Sequence, residues 1–297
     1  MSTVIAFLGL GHMGGPMAAN LAAAGHDVRG FDLVPASLDQ ARKNGITVAS
    51  SAVDAVAGAA VVITMLPSGK HVLECYAEIV PAAEKDTLFV DSSTIDVADA
   101  RSAADAARAA GHRAVDAPVS GGVGGASAGT LTFMVGGEDA DVAQAFPLLD
   151  IMGKKVVHCG QNGNGQAAKL CNNMILGVSM IAVSEAFVLG EKLGLTNQAL
   201  FDVASTASGQ CWALTTNCPV PGPVPTSPAN NDYTPGFAAA LMRKDLGLVS
   251  DAVQANGVEA ELGMLAARMY EQYASSHGDK DFSGIVQDIR ERSGGAA

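Results

Sequence analysis

Apolar and polar positions alternate on two different scales along this chain. Over the first half, short apolar runs of strand character recur between alanine-rich stretches: Val4–Leu8, Asp27–Phe31, Ala60–Thr64, Thr87–Val90 and Arg113–Val115. Strands separated by helix-length segments predict a parallel sheet covered by helices, because parallel neighbours need a crossover of about that length. Further runs at Leu131–Val135 and Lys155–His158, with a helix from about Asp139 to Asp150 between them, extend the sheet. The first domain is expected to cover residues 1–163.

Beyond that point the pattern changes. No proline occurs between Pro147 and Pro219, and Gln166 to Leu193 reads as one long helix with only Lys169 and Glu185 charged before Glu191. So few charges predict burial in a helical core or a subunit interface. Its least charged part, Leu170 to Ser184, is interrupted by Asn172, Asn173, Gly177 and Ser179 and reads as too short and too polar to span a bilayer. Six prolines from Pro219 to Pro235 mark a loop, and amphipathic segments resume from about Ala238 to Arg290. Residues 164–297 are therefore expected to form an all-helical domain.

Composition narrows the partners. The 297 residues are 48% hydrophobic and 16% charged, as in a chain that buries most of its apolar surface. A net charge of -12 repels phosphodiester backbones and anionic lipid surfaces, so neither nucleic acid nor a membrane is expected as a partner. A carboxylate substrate would have to be held by a few local donors. The five cysteines (Cys75, Cys159, Cys171, Cys211, Cys218) form no CxxC pair and the six histidines are scattered singly, so no metal is expected. The thiols read as reduced, in a cytoplasmic location. The first apolar run has no basic leader and breaks at Gly9, which reads as a strand rather than a signal peptide.

Four places carry candidate chemistry. Gly9, Leu10, Gly11, His12, Met13 and Gly14 follow the first strand directly and open a helical segment. That context suits a dinucleotide pyrophosphate lying against bare backbone at a helix N-terminus, although a tight glycine turn without ligand has the same letters. Asp32 ends the second strand, where a carboxylate can accept the adenosine ribose hydroxyls and repel a 2′-phosphate; NAD is expected over NADP. A plain turn-forming aspartate is the alternative there. Asp116 to Ala126 is a glycine-rich run whose open peptide N–H groups suit a small carboxylate, or else a flexible connection. Lys169 stands among Ala167, Ala168, Leu170 and Cys171, where burying an ammonium is expensive, with Asn173 one helical turn on. A desolvated lysine of lowered pKa can exchange a hydroxyl proton during hydride transfer; a lysine reaching solvent from the first turn is the alternative. The expected fold class is thus α/β, a Rossmann-type doubly wound, mainly parallel sheet followed by an all-α domain.

Taken together, Gly9–Gly14, Asp91-Ser92-Ser93-Thr94, Asp116–Gly125, Gly165 to Asn173 and Lys244-Asp245-Leu246-Gly247-Leu248 resemble the β-hydroxyacid dehydrogenase family over about Thr3 to Arg292. Pro219-Val220-Pro221-Gly222 and Ala229-Asn230-Asn231 resemble the subgroup that acts on a branched four-carbon 3-hydroxy acid from valine breakdown. The resemblance implies Lys169 as catalytic acid/base. It implies Ser120, Gly121, Gly122 and Asn173 around the substrate, with Leu66, Pro67, Thr94 and Lys244 on the cofactor and Asp245 supporting Lys244. It also implies a homodimer or homotetramer. Where the family has an asparagine after its Leu-Pro, this chain has Ser68-Gly69-Lys70-His71, with His71 the candidate substitute. Sister activities on tartronate or succinate semialdehyde or on serine would use the same lysine and loop. A non-catalytic NAD-binding sensor would have no use for Lys169 and Asn173.

Overall fold

The computed structural model describes residues 2–294; Met1 and residues 295–297, the outer ends of the two expected domains, lie outside them. The chain divides into two compact units, Met1–Lys169 and Leu170–Ala297.

The first unit runs β1 (Val4–Leu8), α1 (Gly14–Ala23), β2 (Asp27–Phe31), α2 (Pro35–Lys43), β3 (Thr47–Val48), α3 (Ala52–Val56), β4 (Val61–Thr64), α4 (Gly69–Ile79), β5 (Leu88–Asp91), α5 (Val97–Ala109), β6 (Arg113–Asp116), β7 (Val119–Ser120), α6 (Gly122–Ala128), β8 (Leu131–Gly136), α7 (Asp139–Met152) and β9 (Gly153–Gly160). The sheet order is β3-β2-β1-β4-β5-β6-β8-β7, with β9 parallel to β8. The first six strands are parallel, and β8 turns the sheet antiparallel at β6 and β7. This is the expected Rossmann-type sheet.

Strand pleat explains the two cores. Successive residues face opposite sides, so Ile5 and Phe7 of β1 join Ile63, Val90 and Val115 under α1 and α7, while Ala6 and Leu8 join Val62, Phe89 and Ala114 under α3, α4 and α5. Chain order reverses between β1 and β4, and ligands of such sheets bind at the carboxyl ends of the strands there.

The second unit is helical, as expected. It takes most of α8 (Asn164–Lys192), then α9 (Asn197–Ala204), α10 (Trp212–Thr215), α11 (Ala239–Ala255), α12 (Glu261–His277) and α13 (Ile285–Arg292). The expectation for α8 needs one correction. At 29 residues, with a window of mean hydropathy 1.7, it is long and apolar enough by length and composition to cross a bilayer, because its asparagines and serine are outweighed by Leu, Ile, Met and Val. Within the single chain 44% of that window is buried, and Ile175 and Leu189 are 64% and 59% exposed.

The proline-rich loop is held by one carboxylate. Asp281, wholly buried, accepts Asn217 Nδ2 and both the N–H and hydroxyl of Ser283 on Oδ1, and the Gly236 and Phe237 N–H groups on Oδ2. The short 3₁₀ turn Pro228–Asn230 lies within the loop, and the Asn230 side chain bonds Gly222 and Val224.

Candidate active site

At the switch point the glycine-rich turn has the shape a pyrophosphate needs. Gly9 sits at φ +90°, open to glycine at little cost, and a Cβ on Gly14 would collide with the Gly9 carbonyl, so α1 starts hard against the turn. A Cβ on Gly11 would meet nothing within 4 Å, which leaves bare backbone facing open space. Leu10 is buried, His12 exposed and Met13 half-buried. The Leu10 N–H donates to Asp32 Oδ2 at 2.7 Å, and the Val34 N–H donates to Oδ1 at 2.7 Å. Each carboxylate oxygen has two lone pairs, so acceptor capacity remains for ribose hydroxyls. These residues fit a dinucleotide.

The neighbouring strand ends are tied to that turn. Register places Leu8, Phe31, Thr64, Asp91 and Asp116 side by side across β1, β2, β4, β5 and β6. The Leu66 N–H donates to Ser93 Oγ at 2.8 Å, so the Leu66-Pro67 turn is fastened to the segment bearing Thr94. Asp91 Oδ1 accepts Thr64 Oγ1 (2.7 Å), Ser93 Oγ (2.6 Å) and the Ser93 N–H. Burial pushes the Asp91 carboxyl up to about 6 against the lowering effect of those bonds. His71, exposed on α4, bonds Ser68 Oγ through Nδ1 at 2.7 Å.

Lys169 is buried, 6% exposed, and its Nζ donates to the Val119 carbonyl at 2.9 Å. The next three residues, Ser120, Gly121 and Gly122, carry the chain out of β7 into α6, with Gly121 at φ +138° and Gly122 at φ +62°. The ammonium and the expected carboxylate loop thus meet within the first unit. Asp116 anchors the helix that carries Lys169: Oδ1 accepts the Gly163 N–H at 2.7 Å and Oδ2 the Gln166 N–H at 3.0 Å. A carboxylate there satisfies orphan donors of the first turn and complements the helix dipole. Burial still raises the Asp116 carboxyl above its usual range.

In the second unit, Asn173 is 1% exposed and its Nδ2 donates to Asp245 Oδ2 at 2.6 Å, while Asn172 Nδ2 donates to Asn173 Oδ1 at 3.2 Å. Lys244 Nζ stands 4.0 Å from Asp245 Oδ1. From the sequence Asp245 reads only as a support for Lys244. It is also buried inside α11 and bonded to Asn173, a contact spanning 72 residues that no local pattern announces. Trp212 is 51% exposed. Asp91, Asp116 and Gln166 stand in the runs that carry the family resemblance, but no part is read for them from the sequence; their buried hydrogen bonds become visible only in the fold. Among the described residues no cluster of three or more His, Cys, Asp or Glu could hold a metal, and all five cysteines are free.

Glycine turn, strand-end carboxylate and buried lysine define a dinucleotide-dependent oxidoreductase. Residues 4–160 match the NAD binding domain of 6-phosphogluconate dehydrogenase, and residues 163–289 match the family described as NAD-binding of NADP-dependent 3-hydroxyisobutyrate dehydrogenase. A probable 3-hydroxyisobutyrate dehydrogenase of Mycobacterium tuberculosis is 58% identical over 98% of this chain and 99% of its own length. A solved structure of the 3-hydroxyisobutyrate dehydrogenase from that organism, titled with L-serine, superposes with a TM-score of 0.95 at 57% identity, covering 98% of this chain and all of the other. The NAD-dependent L-serine dehydrogenase of Pseudomonas aeruginosa is 45% identical over 96% of this chain and 97% of its own length. The chain belongs to the 3-hydroxyisobutyrate dehydrogenase family of NAD-dependent β-hydroxyacid oxidoreductases.

Proposed function

We propose that this chain oxidises 3-hydroxyisobutyrate to methylmalonate semialdehyde with NAD, as a step of valine breakdown. The observation that carries the proposal is the buried Lys169 amine beside the Ser120-Gly121-Gly122 turn. In this reading the open N–H groups of that turn and the Ser120 hydroxyl hold the substrate carboxylate, and Asn173 orients the hydroxyl-bearing end. Lys169 in its neutral form takes the hydroxyl proton on Nζ while the carbon–oxygen double bond forms. Bound NAD supplies the nicotinamide ring that receives the hydride. Gly9, Leu10, Gly11, His12, Met13 and Gly14 would cradle its pyrophosphate, Asp32 its ribose, and Leu66, Pro67, Thr94 and Lys244 its remaining surface. Burial keeps water from competing for the lysine, and the Val119 carbonyl holds the amine in place between turnovers.

One family description names NADP, yet a carboxylate at Asp32 opposes a 2′-phosphate, so NAD is the cofactor expected to work best. In the proposed division of labour residues 1–163 hold the dinucleotide and residues 164–297 supply substrate and subunit contacts. A homodimer or homotetramer in the cytoplasm, with no nucleic acid or membrane partner, completes the proposal.

L-serine is the specific second reading, because a solved relative carries it in its title and another is named for it. NADH formation with 3-hydroxyisobutyrate, L-serine, 3-hydroxypropionate and glycerate, each with NAD and NADP, separates them. A higher kcat/KM for 3-hydroxyisobutyrate with NAD supports the first reading and a higher value for L-serine the second. Binding of NAD without turnover of any acid would refute both.

A further inference from the structure

The helix that carries Lys169 also carries a buried residue to which neither the sequence pattern nor the proposed chemistry gives a part. Gln166 precedes Lys169 by three positions on α8, so the two lie on neighbouring parts of one helix face. It is wholly buried, and both ends of its side-chain amide are engaged. Nε2 donates to the Ser93 carbonyl at 2.7 Å, and Oε1 accepts the Ile95 N–H at 3.1 Å. The two backbone groups it grips flank Thr94, the residue proposed to contact the cofactor. An amide offers a donor and an acceptor side by side; an ionised carboxylate cannot donate, and a thioether can do neither job well.

The bonds continue in both directions. Ser93 Oγ accepts the Leu66 N–H and donates to Asp91, and the Gln166 N–H is itself held by Asp116. Leu66, the backbone flanking Thr94 and the first turn of α8 are thereby fastened together through the side chains of Ser93 and Gln166. A structural glutamine could in principle satisfy any buried carbonyl, but this one bridges the strand end on the cofactor side to the helix turn on the proton-accepting side. Hydride transfer is sensitive to that separation, since a misplacement of about 1 Å can cost on the order of 10² in rate.

We propose that Gln166 is a positioning residue, which sets Lys169 relative to Thr94 for proton and hydride transfer. The proposal rests on the reading of Lys169 as acid/base. Its test is a double-mutant cycle on Gln166→Met, Gln166→Glu, Lys169→Ala and the Gln166→Met/Lys169→Ala pair. Turnover is measured on the preferred acid and counted per NAD-binding site, so that an unfolded fraction does not enter; NAD Kd and Tm are recorded for each variant. Both Gln166 variants are expected to lower kcat at least tenfold with NAD Kd changed less than threefold, and the double variant to be no slower than Lys169→Ala alone. Gln166→Glu, which keeps the acceptor for Ile95, is the second route should Gln166→Met fail to fold. A lowered Tm with wild-type kcat would leave Gln166 purely structural and overturn the proposal, as would a Gln166→Met effect of the same size with and without Lys169. Failure of the underlying reading looks different: Lys169→Ala itself would then turn over near the wild-type rate.

Discussion

Lys169 is where a single side chain decides most. If its amine takes the hydroxyl proton, Lys169→Ala should lower kcat by about 10² to 10⁴ while NAD binding is retained, as read by steady-state kinetics beside a titration of NAD. Asp32→Arg should move the ratio of kcat/KM for NAD and NADP towards NADP, since the carboxylate proposed to repel a 2′-phosphate is replaced by a cation. Asp91 gives a pH signature. Its folded carboxyl, near 6, binds a proton that the unfolded chain releases at its ordinary value of about 4, so ionisation between those limits destabilises the fold. The stability difference between Asp91→Asn and wild type should therefore rise in favour of the variant from pH 4 to pH 7, by about 2 kcal/mol. Urea melts at several pH values measure it, and a difference that stays flat would show that Asp91 does not titrate in this range.

At the scale of elements, the sheet was readable because strand and helix periods differ. Val4–Leu8 and Asp27–Phe31 match β1 and β2 residue for residue, and the other anticipated strands shift by one or two positions at their ends. Two-residue strands such as β3 and β7 have too few positions to show any period. The glycine turn, Asp32 and Lys169 could be singled out because short motifs and a charge in an apolar run are local signals. Asp116, Gln166 and the Asn173–Asp245 contact could not, because their meaning depends on partners 47 to 73 residues away. Pro147 within α7 shows the opposite case, a local helix breaker overridden by Leu148, Leu149 and Met152 packing into the core. The element that most depends on an unforeseen residue is α8. Asp116→Ala would strand the Gly163 and Gln166 N–H groups without acceptors, and a loss of about 2–4 kcal/mol in denaturant unfolding is expected.

On the scale of the whole molecule, the apolar surface left by a single chain is the main unfinished business. Ile175 and Leu189 on α8 stand in solvent, and α9 buries no residue at all. Large apolar side chains left exposed along a long helix are where a second copy would pack. Sedimentation equilibrium should show a dimer or larger species, and Leu189→Glu should shift it towards monomer; a wild-type monomer at micromolar concentration would exclude the oligomer.

The carboxylate of Asp281 also sets an order in time. Three stretches, at Asn217, Gly236-Phe237 and Ser283, converge on it, so the bonds inside the proline-rich loop, such as those of Asn230, can form early while its tie to Asp281 waits until that residue has left the ribosome. Emerging chains halted before residue 281 should carry a loop open to proteases beside an already folded sheet. On that account the loop is closed from downstream, by a residue made well after it.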